Sequence, residues 1–243
     1  MPRVRLKEVL ELVSQDKVEF GVVPLENSQA GSINETYDLL LAYTLNIFAE
    51  VILKISHCLM ALPGEKLADI TTIYSHPQAL AQCAEFLSKL NVEIMSNYDT
   101  AGSAKMIKEK KLRNCAAIAS KRAPAIYGLE ILAPEIETNF NNYTKFVAIS
   151  KQKAKPAQRN KTSLVFAAEH EPGSLYRILG IFATRNINLA KLESRPSRTK
   201  PWEYVFYADF EGHLDGKVYQ EAVKELQREA AFVKVLGSYP EAY

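Results

Sequence analysis

Gly21-Val22-Val23-Pro24-Leu25-Glu26-Asn27-Ser28 is an apolar run that ends in three polar side chains. Residues 18–23 read as a strand closed by Pro24. Ser32-Ile33-Asn34-Glu35 then has capping-box spacing ahead of a helix through Tyr37, Leu40 and Leu41. Strand, polar turn and helix in that order is how an α/β protein presents side chains in the crevice at its strand ends. The pattern recurs. Residues 51–61 read as one long strand, and 70–74 as another that ends at Ser75-His76. Pro77 suits the first turn of a helix, where its missing N–H costs nothing. That helix places Leu80, Cys83, Ala84 and Leu87 on one apolar face. Residues 92–95 read as a strand, Asp99-Thr100 as a cap and 101–111 as a helix. A strand at 115–119, a short helix to Tyr127, and strands at 129–132 and 146–149 complete an alternating α/β region.

Residues 151–161 break this rhythm. Lys151, Lys153, Lys155, Arg159 and Lys161 surround Pro156 with almost no apolar content, which reads as a solvated linker rather than an anion-binding patch. Beyond it the order is strand 163–168, helix 174–184, strand 187–194, strand 204–210, helix 217–230 and strand 232–236. This is βαββαβ, the ferredoxin-like arrangement. Leu175, Ile178, Leu179 and Phe182 form the buried stripe of its first helix. The chain therefore reads as a domain over 1–150, a linker over 151–161 and a second domain over 162–243.

Bulk properties narrow the function classes. The chain has 243 residues, 47% of them hydrophobic and 24% charged, an ordinary globular composition with room for two cores. A net charge of +2 supplies no strong field for nucleic acid or anionic lipid, so neither is expected as a partner. The most apolar stretch, 48–62, is interrupted by Glu50, Lys54 and His57, and no membrane span is expected. The N-terminus has no apolar core of a secretory signal. Cys58, Cys83 and Cys115 fit no paired or metal-binding spacing and read as reduced, buried thiols in a cytoplasmic protein.

The motifs together resemble prephenate dehydratase. Residues 21–28 with Gly31-Ser32-Ile33-Asn34-Glu35-Thr36 look like that family's strand, Glu-Asn-Ser turn and helix. Ser75-His76-Pro77-Gln78-Ala79 and Asp99-Thr100-Ala101-Gly102-Ser103-Ala104 match two further segments, and Thr144-Lys145-Phe146 falls at its Thr-Arg-Phe motif. From Thr162 the chain looks like an ACT domain, with Glu193-Ser194-Arg195-Pro196 its most specific signature. Two departures stand out. Lysine replaces the motif arginine at 145, and the family's opening strand and Gly-rich, Thr-Phe-Ser-containing segment have no counterpart, so the first lobe reads as incomplete or the start as assigned downstream of the true one.

The resemblance implies a two-lobed, periplasmic-binding-protein-like catalytic domain followed by a ferredoxin-like ACT domain. It implies prephenate as substrate, phenylpyruvate as product, and L-phenylalanine as feedback effector. Aromatisation drives the reaction, so no redox cofactor or metal is expected. Thr144 is chosen as the hydrogen-bond donor to the departing hydroxyl, with Asn27 and Gln78 beside it as catalytic donors. The competing reading is a strand threonine satisfied by local backbone. Glu26, Ser28, His76, Thr100, Ala101, Lys145 and Phe146 are expected around the substrate, Glu26 orienting Asn27 or a lysine rather than acting as a base. Thr100 and Ser32 also read as plain helix caps. Lysine at 145 grips a carboxylate less specifically than arginine would, unless it faces outward along its strand.

For the effector, the resemblance points to Gly173, Ser174 and Leu175 at the start of the first ACT helix, with Asn186, Asn188, Glu193 and Ser194, Glu193 accepting from the α-ammonium. ACT domains of this kind pair, so a homodimer or homotetramer is expected. Two alternatives stay open: an arogenate dehydratase, and a catalytically silent amino-acid sensor.

Overall fold

The computed structural model describes residues 2–197 and 204–242; Met1 and Tyr243, which bound the two domains read from the sequence, lie outside them. In chain order the elements are α1 (Leu6–Ser14), β1 (Gly21–Asn27), β2 (Gly31–Ser32), α2 (Asn34–Ala42), β3 (Asn46–Lys54), β4 (Cys58–Ala61), β5 (Thr72–Ser75), α3 (Pro77–Gln82), α4 (Ala84–Leu87), β6 (Glu93–Ser96) and α5 (Thr100–Lys110). They continue with β7 (Cys115–Ala119), α6 (Ala123–Tyr127), β8 (Glu130–Ala133), β9 (Tyr143–Ser150), β10 (Asn160–Ala168), α7 (Ser174–Ala183), β11 (Leu189–Pro196), β12 (Tyr204–Glu211), α8 (Lys217–Glu229) and β13 (Ala230–Pro240). By contacts the chain divides into one unit of Met1–Leu53 with Thr144–Tyr243 and another of Lys54–Tyr143.

The first unit holds two sheets. One has the order β2-β1-β9-β3, with β1 and β9 antiparallel. The other is the ferredoxin-like sheet, order β11-β12-β10-β13, covered by α7 and α8. Its interior is Phe166, Ile178, Phe182, Phe210 and Leu226, all essentially inaccessible. The stripe on α7 is rotated by one position from the sequence reading: Ile178, Ile181 and Phe182 are buried while Leu179 is only half-buried.

The two sheets of this unit share contacts that depend on particular residues. Gly237 of β13 passes so close to β3 that a Cβ there would lie 2.3 Å from the Ile47 carbonyl oxygen, so only glycine fits. Lys161 and Glu50 form a buried ion pair at 2.8 Å, and the Ala242 N–H donates to the same carboxylate oxygen. Breaking such a pair by removing one partner strands a buried charge, at a cost of about 3–5 kcal/mol. Lys161 is thus a structural residue in β10, not part of a solvated linker. Ala154, in the same basic stretch, packs into the core with Leu10, Ile47 and Leu236. Lys234 donates to the carbonyls of Leu40, Leu41 and Tyr43 at the end of α2, satisfying acceptors the helix itself leaves open.

The second unit is a five-stranded sheet, order β6-β5-β7-β4-β8, in which β5 is parallel to both neighbours. Its core lies on both faces, as expected of strands covered by helices.

Strand β1 does not stop at Pro24 but continues to Asn27. Proline is tolerated because β2 reaches only Glu26 and Asn27, which leaves β1 an edge at Pro24 on the side away from β9. Residues 51–61 are two strands in two different sheets, β3 and β4, because the chain passes from one unit to the other at Leu53/Lys54. The helix after Pro77 breaks at Cys83, leaving Ala84 exposed while Leu80, Cys83 and Leu87 stay in the core. Ser32 is no capping residue: it lies in β2, and α2 starts from Ile33 without a side-chain cap.

Candidate functional site

In the first unit, β1 and β9 bring together residues more than a hundred positions apart. A register irregularity between Pro24 and Glu26 sets Asn27 opposite Thr144 and Glu26 opposite Lys145. Such bulges re-aim side chains next to sites. Asn27 Nδ2 donates to Thr144 Oγ1 at 3.0 Å, and both residues are buried. The other end of the amide is fixed as well: Asn27 Oδ1 accepts from the N–H groups of Gln29 and Ala30 at 3.1 and 2.9 Å. The amide orientation is therefore dictated by the turn, and it uses the threonine oxygen as an acceptor. That leaves the Thr144 hydroxyl hydrogen available to donate elsewhere.

Beside this pair is a charged row. Lys145 Nζ is 3.4 Å from Glu26 Oε2, and Lys191 Nζ lies 3.3 Å from the same oxygen. Glu26 therefore meets two lysines. Ser28 follows in the exposed turn, and Phe146 is half-buried one position along β9. Lys191 also reaches Glu193 Oε2 at 3.1 Å and Ser32 Oγ at 2.7 Å, and lies over the Tyr37 ring. Ser32 in turn donates to Glu193. Burial raises the Glu193 pKa, but the hydrogen bonds from Ser32 and Lys191 and the charges of Lys191 and Arg195 outweigh it and hold the carboxyl below its ordinary value. Arg195 completes the row, donating to Asp38 and to the Asn34 carbonyl.

The second unit holds the other candidates at the ends of parallel strands. β5 runs into His76, whose Nδ1 accepts the Gln78 N–H at 3.2 Å and so caps α3. Gln78 itself is exposed. β6, the neighbour of β5, leads into α5, whose first residues are Thr100 and Ala101 after Asp99. No side chain caps α5, whose N-terminus carries the end of the helix dipole that favours an anion. A Cβ at Gly102 would lie 2.3 Å from the Tyr98 hydroxyl, so a larger residue there requires the exposed tyrosine side chain to move.

The residues expected at the effector site are divided by the structure into three places. Gly173, with φ +83, lets the loop turn into α7, and Ser174 locks that loop by donating to the carbonyls of Glu169 and Glu171. Ser174, Leu175 and Ser194 line one cavity of about 610 Å³ with His170, Tyr204 and Phe206. Asn186 and Asn188 line a different one, of about 430 Å³, where Asn188 donates to Glu211. Glu193 faces neither cavity; it is bonded to Ser32 and Lys191. The strand explains one part of the split: successive side chains on β11 alternate, so Ser194 and Glu193 point to opposite faces. Lys191 and Arg195 are not among the site residues expected from the sequence, although Arg195 lies within the Glu193-Ser194-Arg195-Pro196 signature. Their period-two spacing with Glu193 was the available signal, a row of charge on one face of a strand.

A family profile described as prephenate dehydratase matches residues 1–154, and one described as the ACT domain matches 162–230. A curated relative from Arabidopsis thaliana, arogenate dehydratase/prephenate dehydratase 2, chloroplastic, is 42% identical over 99% of this chain and 66% of its own length; the chain thus spans just under two thirds of that protein. A solved prephenate dehydratase from Arthrobacter aurescens, in complex with L-Phe, is 32% identical with a TM-score of 0.90 over 99% of this chain and 81% of that one. A solved protein titled GqqA, a novel type of quorum quenching acylase, is also 32% identical, with a TM-score of 0.88 over 99% and 88%. The fold is accordingly a periplasmic-binding-protein-like α/β domain followed by an ACT domain.

Proposed function

The chain belongs to the prephenate dehydratase family, and on that premise we propose that it converts prephenate to phenylpyruvate in aromatic amino-acid biosynthesis. The observation that carries this reading is the buried hydrogen bond from Asn27 to Thr144, which turns a strand threonine into an oriented donor. The ring carboxylate leaves as carbon dioxide, its bonding electrons enter the ring, and the ring C–O bond breaks with departure of hydroxide. The Thr144 hydroxyl donates to that oxygen as negative charge builds on it. Preorganised donors of this kind are worth about 2.7–4 kcal/mol. The proposed substrate contacts are Lys145, Ser28 and Phe146 from the first unit and His76, Thr100 and Ala101 from the second, with Gln78 a further donor to carboxylate or hydroxyl oxygen. Glu26 orients the lysines and is not a base.

L-phenylalanine is the proposed effector, held in the cavity of Ser174, Leu175 and Ser194, whose volume suits a small ligand. A homodimer or homotetramer is the proposed assembly. The unpaired Cys58, Cys83 and Cys115 support a reducing compartment such as the cytoplasm. Burial, with lesser contributions from Glu137 and Cys58, pushes the Cys83 thiol up to about 12, so it is inert packing.

A second substrate, arogenate, is favoured by the name of the Arabidopsis relative. An acylase would need an activated nucleophile, whereas the partner of the Thr144 hydroxyl is an amide and not a base. The test is product formation from prephenate and from arogenate, each with and without phenylalanine. Phenylpyruvate from prephenate, suppressed by phenylalanine, is expected. Turnover of arogenate alone would establish the second reading.

A further inference from the structure

We propose that Lys191, on the ACT strand β11, is a positioning residue of the catalytic site, acting through Glu26 on Lys145; this rests on the dehydratase reading. The geometry is a shared oxygen. Glu26 Oε2 lies 3.4 Å from Lys145 Nζ and 3.3 Å from Lys191 Nζ. The Lys191 side chain is only 11% exposed, and it is held from three further sides by Ser32, Glu193 and the face of Tyr37. It is thus a fixed charge, not a mobile surface lysine.

Charge counting shows what it does. Glu26 and Glu193 match Lys145 and Lys191 in charge, Arg195 is matched by Asp38, and burial raises the pKa of the nearby Asp209 carboxyl; the Glu26 carboxylate is thus divided between two ammonium groups. Without Lys191 the cluster carries a net negative charge. Glu26 then holds Lys145 alone, drawing it from any anion it would bind, and the surplus charge repels a dianionic substrate. Replacing Lys191 therefore weakens ground-state binding of a dianion and leaves the hydroxyl of Thr144 untouched.

The location adds a consequence. β11 carries Ser194 into the large ACT cavity on one face and Lys191 and Glu193 toward β1 and β2 on the other. Pairing with β12 fixes the strand along Glu193↔Tyr207 and Ser194↔Phe206, so its two faces move together. A ligand in that cavity acts on the same strand that sets the charge beside Lys145.

The experiment compares steady-state kinetics on prephenate for the wild-type chain, Lys191→Met, Lys191→Arg, Glu26→Gln and the double variant Glu26→Gln/Lys191→Met. Methionine keeps the stem over Tyr37 and removes only the charge. Lys191→Met is expected to raise KM on the order of tenfold with kcat changed less than about twofold, and Lys191→Arg to restore most of the loss. In the Glu26→Gln background the methionine substitution is expected to add little, because the carboxylate it neutralises is gone. Phenylalanine binding by calorimetry is expected to persist in Lys191→Met, with weaker inhibition. A wild-type KM in Lys191→Met, equal losses of kcat and thermal midpoint with no rescue by arginine, or additive effects in the double variant would overturn the assignment. A wild-type chain inert toward both prephenate and arogenate would overturn the functional reading itself and this proposal with it.

Discussion

The two units arrange their polar groups by different means. In the first, Thr144 and Asn27 are buried and locked to each other across antiparallel strands, with the asparagine amide fixed at both ends. In the second, His76, Gln78, Thr100 and Ala101 sit where parallel strands give way to helices, exposed or half-buried, and α5 starts without a side-chain cap. The first arrangement suits a single rigid donor at one bond; the second suits loose, multiple contacts to carboxylates. The difference predicts that the locked pair Thr144 and Asn27 governs kcat, while the looser contacts at Gln78 and at the helix starts govern KM.

The largest expected effect breaks the first half of that division. Thr144→Val should keep its thermal midpoint and lose kcat by about 10²–10³-fold, with KM little changed. Asn27→Ala removes the group that orients the hydroxyl and should lower kcat by about tenfold, the upper range for one net hydrogen bond. In the second unit, Gln78→Ala should instead raise KM about 2- to 10-fold at nearly constant kcat; a loss of kcat as deep as that of Asn27→Ala would abolish the distinction. Lys145→Arg should lower KM a few-fold, since a guanidinium meets a carboxylate through two parallel hydrogen bonds.

The smallest effect concerns acid stability. The Glu193 carboxyl is held below its ordinary pKa, so its contribution to stability is full above about pH 4.3, the ordinary glutamate value, and is lost as pH falls through its lower folded value. Glu193→Gln should therefore lower the thermal midpoint near pH 7 and converge with wild type at strongly acidic pH. A constant gap at every pH would show that the carboxylate charge is not involved.

Much of this was readable from the sequence where local chemistry decides. Pro77 after Ser75-His76 marks a strand end and a helix start without reference to the rest of the chain, and β7 falls at residues 115–119 as its apolar run suggests. The strand and helix order of the ACT segment likewise follows from periodicity. What escaped depends on distant partners. Lys161 looks like one more linker lysine until β3 supplies Glu50. Ser32 looks like a cap until β11 supplies Glu193 and Lys191. The separation of Ser194 from Glu193 follows from side-chain alternation along β11, which the sequence offers. Residues 51–61 read as one strand because a mostly apolar run carries no sign of a change of sheet.

On the proposed mechanism a neutral hydroxyl, oriented by Asn27, eases the departure of hydroxide. The most direct measurement is kcat at saturating prephenate for Thr144→Ser beside Thr144→Val. Serine keeps the donor and should retain turnover within about tenfold of wild type, while valine, equal in shape to threonine, should fall about 10²–10³-fold. Near wild-type turnover in Thr144→Val, or equal losses in both variants, would contradict it.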